Sequence, residues 1–113
     1  MPALALALAL IPFGGAAADE SADQRLAAGK KLVTARDKGN CLACHAIADG
    51  ELPGNIGPPL VYMQQRFPDR AQLRAQVWDA TARNPNTAMP PFGRHQILSD
   101  EEIDLIVDYI HTL

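Results

Sequence analysis

The stretch Cys41-Leu42-Ala43-Cys44-His45 decides the fold, because it holds both cysteines of the 113-residue chain and a histidine directly after the second. Two cysteines three positions apart are compatible with a disulfide, half of a zinc site or a thioredoxin-like redox site. Zinc needs two further soft ligands at matched spacing, and the sequence has no other cysteine. A thioredoxin-like site needs a βαβ setting, and no clear strand pattern is present. The adjacent histidine therefore favours a fourth interpretation, covalent haem attachment.

The residue types in this stretch suit haem chemistry. Each thiol of Cys41 and Cys44 can add to one vinyl group, and a helical turn matches the separation of the two vinyls. The imidazole of His45 is then directed at the iron as its proximal ligand. We therefore predict one covalent haem c, attached through both cysteines and ligated by His45.

Composition limits the chain to one small domain with a thin core. Aromatic residues make up 5% of the sequence, and small domains usually need a disulfide, a metal or a cofactor. A central haem would supply the missing apolar volume. The net charge of −3 argues against nucleic acid or an anionic membrane as a partner, since both need a basic face.

The N-terminal segment is typical of a secretory signal. Residues 1–13 are apolar and uncharged, and small residues follow before Asp19. We predict a signal peptide over residues 1–18, a folded domain over residues 19–113, export to the periplasm and no stable membrane insertion. One feature departs from a usual signal, because the first basic residue is Arg25. An uncleaved anchor is the alternative, although the run is shorter than the roughly 20 residues of a transmembrane helix.

Helical periodicity at both ends predicts an all-α fold of about four helices with long loops. Apolar residues at helical spacing predict a first helix over residues 22–37. Shorter helices are expected over residues 59–66 and 69–80, the latter with Leu73, Val77 and Trp78 directed inward. Ser99 and Glu102 form a capping box that starts the last helix. Its apolar stripe consists of Ile103, Ile106, Val107 and Ile110.

The Gly- and Pro-rich loop over residues 46–60 is the expected partner of His45. A metal-bound histidine usually donates its other ring N–H to a carbonyl or a carboxylate. The stiff segment Gly57-Pro58-Pro59-Leu60 is a candidate for that acceptor, and an ordinary Pro-rich turn is the alternative.

The sixth iron ligand has four candidates in the sequence, which are Met63, Met89, His95 and His111. Met89 is favoured because it lies in a loop stiffened by two following prolines, and a Met/His pair raises the reduction potential relative to His/His. Met63 fits core filling better, and the two histidines fit the surface. Phe92, Trp78 and Tyr62 are candidates to pack on or near the haem, with an ordinary core role as the alternative.

This order of features resembles a class I cytochrome c, and the resemblance covers the whole chain after residue 18. It implies that the first and last helices cross with Gly29 against Tyr109. It also implies that the carbonyl of Pro58 accepts the Nδ1 proton of His45. Leu60, in the G-P-x-L loop, and Phe92 are expected haem contacts.

Four stretches, residues 29–47, 54–60, 84–93 and 97–110, further resemble the SoxX family of monohaem cytochromes. The loop NPNTAMPPFG carries most of this likeness. The resemblance implies a periplasmic heterodimer with a SoxA-type cytochrome, which oxidatively joins thiosulfate to a cysteine of a carrier protein. A soluble cytochrome c is then the expected electron acceptor.

Forming a sulfur–sulfur bond needs a free thiolate. Both cysteines of this chain are expected to be thioethers, so the catalytic thiol of such an L-cysteine S-thiosulfotransferase would lie on the partner. Two other functions stay open from the sequence: a free-standing electron carrier of a respiratory chain, and a haem enzyme or gas sensor with an open sixth position.

Overall fold

The computed structural model describes the backbone of residues 16–113 and the side chains from residue 21 onward. Within this part of the chain there are four α-helices and two short 3-10 turns, and there is no strand. The helices are α1 (Ala16–Thr34), α2 (Met63–Arg66), α3 (Arg70–Trp78) and α4 (Asp100–Ile110), and the 3-10 turns are Cys41–Ala43 and Ala80–Ala82. The prediction of an all-α fold with about four helices is confirmed.

The ends of α1 differ from the predicted bounds of 22–37. The helix is already formed at Ala16, upstream of the predicted start, which fits the strong helix propensity of alanine at positions 16–18. It ends at Thr34, where the N–H of Gly39 turns back to the carbonyl of Leu32 at 3.1 Å. Residues 1–15 of the predicted signal peptide lie outside the described residues, and cleavage after Ala18 stays a prediction.

The helices α1 and α4 cross at Gly29. A Cβ on this residue would lie 2.1 Å from the carbonyl oxygen of Leu105 and 2.8 Å from the Cβ of Tyr109. Any side chain here would therefore push the two helices apart. The expected contact between Gly29 and Tyr109 is confirmed.

The start and the buried face of α4 also match their predictions. The hydroxyl of Ser99 accepts from the N–H of Glu102 at 3.1 Å, and the N–H of Ser99 donates to the Glu102 carboxylate at 3.0 Å. This reciprocal cap satisfies two backbone donors at the helix start. The predicted apolar stripe is buried, and its members are Ile103, Ile106, Val107 and Ile110.

The middle helices are shorter than predicted. Tyr62 adopts a left-handed backbone with φ 53°, so α2 begins at Met63 rather than at residue 59. The extended backbone of Asp79 ends α3 at Trp78 rather than at residue 80. Leu73 and Val77 are buried as expected, but the inward direction predicted for Trp78 is wrong, because this side chain is 37% exposed.

An ion-pair network that the sequence analysis missed holds α3 and α1 against α4. It joins Asp100, Asp104 and Asp108 of α4 to Arg25 of α1 and to Arg70 and Arg74 of α3. Burial raises the pKa of Asp108, but hydrogen bonds from Arg25 and Arg70 outweigh it and hold that pKa below its ordinary value. Isolated surface pairs contribute little, whereas this network fixes the orientation of three helices.

No helix in the described part of the chain combines the length and the apolar character needed to cross a membrane.

Candidate haem site

The cysteines and the histidine of the motif lie on one helical turn. The 3-10 turn Cys41–Ala43 continues into His45, whose N–H donates to the carbonyl of Cys41 at 2.9 Å. Positions i, i+3 and i+4 of such a turn share a face, so both thiols and the imidazole are directed to the same side. The sulfurs of Cys41 and Cys44 are not joined in a disulfide, and both residues are half-buried.

The thiol of Cys41 lies in apolar surroundings. Burial raises the pKa of this thiol to about 11, and its side chain packs against the hydrophobic core. Across residues 16–113, no group of three or more His, Cys, Asp or Glu side chains is placed to hold a bare metal ion. The Cys41 side of the motif is therefore apolar.

The imidazole of His45 is fixed from its Nδ1 side. This nitrogen lies 2.6 Å from the carbonyl oxygen of Pro58. Because a carbonyl can only accept, the proton resides on Nδ1 and the lone pair of Nε2 is left for a metal. The resemblance to class I cytochromes c implied the same pairing of these two residues.

Gly57 completes the support of the ring. A Cβ at this position would lie 2.4 Å from Cε1 and 2.6 Å from Nδ1 of His45, so only glycine lets the loop backbone lie against the imidazole. The sequence analysis placed Gly57 in the acceptor loop and missed its contact with the ring. Its position directly before Pro58, the residue that binds the histidine, was the available signal.

The loop over residues 54–60 runs alongside the motif and is bound to it by backbone hydrogen bonds. The N–H groups of Gly54, Gly57 and Leu60 donate to the carbonyls of Leu42, Cys44 and Ala46 at 2.9, 2.8 and 2.9 Å. Gly54 is in the closest contact, because a Cβ there would lie 1.8 Å from the carbonyl oxygen of Ala43. Leu60 is buried in the core at the end of this ladder. The loop is therefore a fixed support for the motif.

Met89 packs against the same core from the second irregular loop. The side chain is half-buried, and the core it contacts includes Leu60 and Phe92. Its backbone N–H donates to the hydroxyl of Thr87 at 3.1 Å, a contact absent from the sequence analysis. Phe92 is buried, and its carbonyl accepts from the N–H groups of Ile97 and Leu98 at 2.9 and 3.1 Å. Cys41 packs against this core as well, so four of the predicted site residues meet in one cluster, namely Cys41, Leu60, Met89 and Phe92.

The other candidates for the sixth position have different surroundings. Met63 is 1% exposed inside the core, as expected for a core residue. His111 is half-buried, and its Nε2 lies 2.9 Å from the carbonyl oxygen of Phe67. His95 is on the surface. Among the aromatic candidates, Tyr62 is 70% exposed, and the indole of Trp78 packs on Gly93.

Taken together, these side chains fit a haem c. The thiols of Cys41 and Cys44 and the imidazole of His45 share a face, and Nδ1 of that imidazole is bound to the Pro58 carbonyl. The thioether of Met89 packs against the same hydrophobic core as Cys41. Cys41 and Cys44 would hold the porphyrin, and His45 and Met89 would hold its iron.

Comparison with known proteins gives a match to a cytochrome family and similarity to longer proteins. Residues 24–110 match the family described as cytochrome c oxidase, cbb3-type, subunit III. An uncharacterized lipoprotein of Aquifex aeolicus (strain VF5) is 37% identical over 76 residues, which cover 66% of this chain and 36% of that protein. The gluconate 2-dehydrogenase cytochrome c subunit of Pantoea cypripedii is 27% identical over 123 residues, covering 94% of this chain and 27% of that protein. The chain thus spans about a third of the length of these curated relatives.

Proposed function

The chain belongs to the family of cytochrome c oxidase, cbb3-type, subunit III, and from this premise we propose that it carries one haem c. The haem would be held by Cys41, Cys44, His45 and Met89. We further propose that the chain is the electron-accepting subunit of a redox enzyme. As a cytochrome c domain, the chain is an electron-transfer protein. When bound, a haem supplies a one-electron Fe(III)/Fe(II) couple whose potential depends on its axial ligands. The contact between His45 and Pro58 carries the proposal.

The residues of the site each have a distinct part in this function. Cys41 and Cys44 would hold the porphyrin. The Pro58 carbonyl fixes the orientation of His45 and raises its basicity as a ligand. The soft thioether of Met89 would favour the reduced state of the iron and so raise its reduction potential. With His45 and Met89 both as iron ligands, the site would exchange electrons and would not bind a substrate at the iron.

The enzyme that we propose is a thiosulfate-oxidising complex, with this chain in the position of its SoxX subunit. The loop over residues 84–93 supports this assignment. The cysteine count supports it too, because both cysteines are used for haem attachment and the chain keeps no thiol for sulfur chemistry. A SoxA-type partner would supply the thiol and deliver electrons to this haem. A soluble cytochrome c would then receive them, and a carrier-protein cysteine would receive the thiosulfate.

We place this reaction in the periplasm. The apolar residues 1–13 and the small residues after them favour export. Export would also bring the chain to the compartment where a SoxA-type partner and the carrier protein are expected.

A second candidate is the electron-accepting subunit of a dehydrogenase. The similarity to the cytochrome c subunit of gluconate 2-dehydrogenase extends over 94% of this chain. The haem site would do the same work in both cases, and only the enzyme that reduces it would differ.

The first experiment tests the haem site. The chain is produced in a host that matures c-type cytochromes, and the mass of the denatured polypeptide is measured. We expect the mass of one haem on the wild type and a loss of double attachment in Cys41→Ala. A denatured wild-type polypeptide without covalent haem would contradict the proposal.

The second experiment identifies the electron donor. The oxidised protein is mixed with a SoxA-type cytochrome and the carrier protein, and haem reduction is followed spectroscopically after thiosulfate is added. We expect thiosulfate-dependent reduction that requires both other proteins. Reduction by a gluconate-oxidising dehydrogenase and not by this mixture would favour the second candidate.

A further inference from the structure

The loop that carries Met89 is closed at its base. We call residues 79–94 the Met89 loop. The N–H groups of Gly93 and Arg94 both donate to the carbonyl of Trp78, at 3.0 and 3.3 Å. Arg94 also reaches across the base to the carboxylate of Asp79 at 3.4 Å. The two ends of the loop are therefore joined directly after α3.

The indole of Trp78 covers this junction. A Cβ on residue 93 would lie 1.8 Å from Cδ1 and 2.1 Å from Nε1 of the indole, so the glycine backbone lies flat against the ring. The indole is 37% exposed and does not belong to the buried core, unlike its neighbour Val77. The indole therefore packs on the base of the Met89 loop.

The elements on both sides of the junction are fixed. Arg74 of α3 bonds Asp104 of α4 at 2.8 Å, which holds the helix that ends at Trp78. Phe92, directly before Gly93, is buried in the core. Only Pro90 and Pro91 lie between Met89 and Phe92, and proline fixes the backbone φ. The position of Phe92 and Gly93 at the junction therefore limits where Met89 can lie.

We propose that Trp78 and Gly93 form a clamp that positions Met89 at the sixth coordination site and keeps the Met89 loop closed. The proposal rests on the proposed haem ligation by Met89. Trp78 is a positioning residue in this account, because it acts through the loop and does not touch the iron. Opening the clamp would let the thioether leave and make the sixth position accessible to added ligands.

The test uses the complete haem-loaded chain and a double-mutant cycle. The variants are Gly93→Ala, Trp78→Ala and the combination of both. Two quantities are measured on the ferric protein: the far-red charge-transfer band of thioether-ligated haem, and the affinity for added imidazole. In Gly93→Ala we expect loss of most of the band and an imidazole affinity about tenfold higher, because the new Cβ overpacks the junction.

Trp78→Ala should weaken the band and raise the imidazole affinity as well. Adding Gly93→Ala to it should change little further, because the indole that the Cβ would strike is gone and the coupling is non-additive. If Gly93→Ala does not fold, Trp78→Ala alone still tests the clamp. Imidazole affinity within about twofold of the wild type in Trp78→Ala would overturn the proposal, as would additive effects in the cycle.

The control variant is Gly29→Ala, which inserts a Cβ into the crossing of α1 and α4. It should lower the free energy of unfolding and leave the imidazole affinity near the wild-type value. If Gly29→Ala does not fold, the control is Arg25→Ala, which breaks an ion pair between α1 and α4. An equal rise in imidazole affinity in the control would assign the effect to general loosening and overturn the clamp. If the wild type lacks the far-red band, both the clamp and the ligation by Met89 are wrong. If the wild type has the band and Trp78→Ala keeps the wild-type imidazole affinity, only the clamp is wrong.

Discussion

The imidazole of His45 lies against the backbone of Gly57, close enough that a Cβ on residue 57 would come within 2.4 Å of the ring carbon Cε1. The neighbouring Pro58 carbonyl meets Nδ1 at 2.6 Å. Residues 57 and 58 thus set the position of the ring and the location of its proton in one tight turn. This contact makes Gly57 the glycine outside the motif that bears most directly on the position of the imidazole.

Gly57→Ala is expected to displace the imidazole, because backbone on one side and ring on the other leave no room for a methyl group. We expect a lower yield of haem-loaded protein and a loss of stability of about 1–3 kcal/mol in the fraction that folds. Chemical denaturation followed by haem absorbance measures both. Gly50→Ala is the matched control, since its Cβ would mainly meet the flexible end of Leu42, at 2.3 Å from Cδ1, with the carbonyl oxygen of Ile47 at 3.0 Å. Equal losses in the two variants would contradict the special role of Gly57.

Met89→Ala is expected to abolish the far-red charge-transfer band and to allow carbon monoxide to bind the reduced protein at neutral pH. Both changes follow from removing a thioether that closes the sixth position. Met63→Leu is the control, because this buried residue serves the core and a volume-conserving change usually costs less than about 1.5 kcal/mol. A band that survives in Met89→Ala and disappears in Met63→Leu would reverse the ligand assignment.

Thr87→Val is expected to loosen the backbone at Met89, since it removes the hydroxyl that accepts from the Met89 N–H at 3.1 Å. The net cost of such a hydrogen bond is about 1 kcal/mol. We expect a comparable drop in the free energy of unfolding and a weaker far-red band, both measured on the haem-loaded protein. Thr34→Val removes a hydroxyl that bonds only carbonyls of its own helix, and it should leave the band unchanged. An unchanged band in Thr87→Val would show that this hydrogen bond does not help to position Met89.

Acid should destabilise the protein through Glu102. A hydrogen bond from Lys38 and the N–H of Ser99 hold the pKa of Glu102 below its ordinary value of 4.5. A carboxyl whose pKa is lower in the folded state stabilises the fold above the unfolded value, and this contribution is lost as pH falls through the folded value. We therefore expect the free energy of unfolding to fall as the pH drops below about 4.5.

Lys38→Met tests this origin, because it removes the 2.6 Å ion pair with Glu102. Urea unfolding over a pH series should show a shallower decline below pH 4.5 in this variant than in the wild type. Lys31→Met, which changes an exposed lysine of α1, is the charge-matched control. If the free energy of unfolding declines in parallel in the wild type, Lys38→Met and Lys31→Met, the acid sensitivity does not come from the pair of Lys38 and Glu102.

The features that the sequence predicted correctly depend on contacts between near neighbours or on a motif with strict spacing. The cap of Ser99 and Glu102 is complete within four residues, so its pattern is visible without tertiary information. The apolar stripe of α4 follows from the period of the helix. The pairing of Gly29 with Tyr109 is distant in sequence, and it was available only through the resemblance to class I cytochromes c.

The features that could not be predicted from the sequence depend on which helices and loops contact each other in the folded protein. Trp78 has the spacing of a core residue, yet its indole packs on Gly93 of the following loop and is partly exposed. Asp104 and Asp108 look like ordinary solvated residues until α3 brings two arginines beside them. The role of Thr87 is also invisible in the pattern, because the hydroxyl reaches only the N–H two residues later when the loop is folded.

The ion pair between Arg25 and Asp108, at 2.8 Å, ties α1 to α4 across 83 positions of the sequence. The motif and the Met89 loop both lie between these two residues in the chain. The contact between α1 and α4 therefore closes one long loop of polypeptide that contains every residue assigned to the haem.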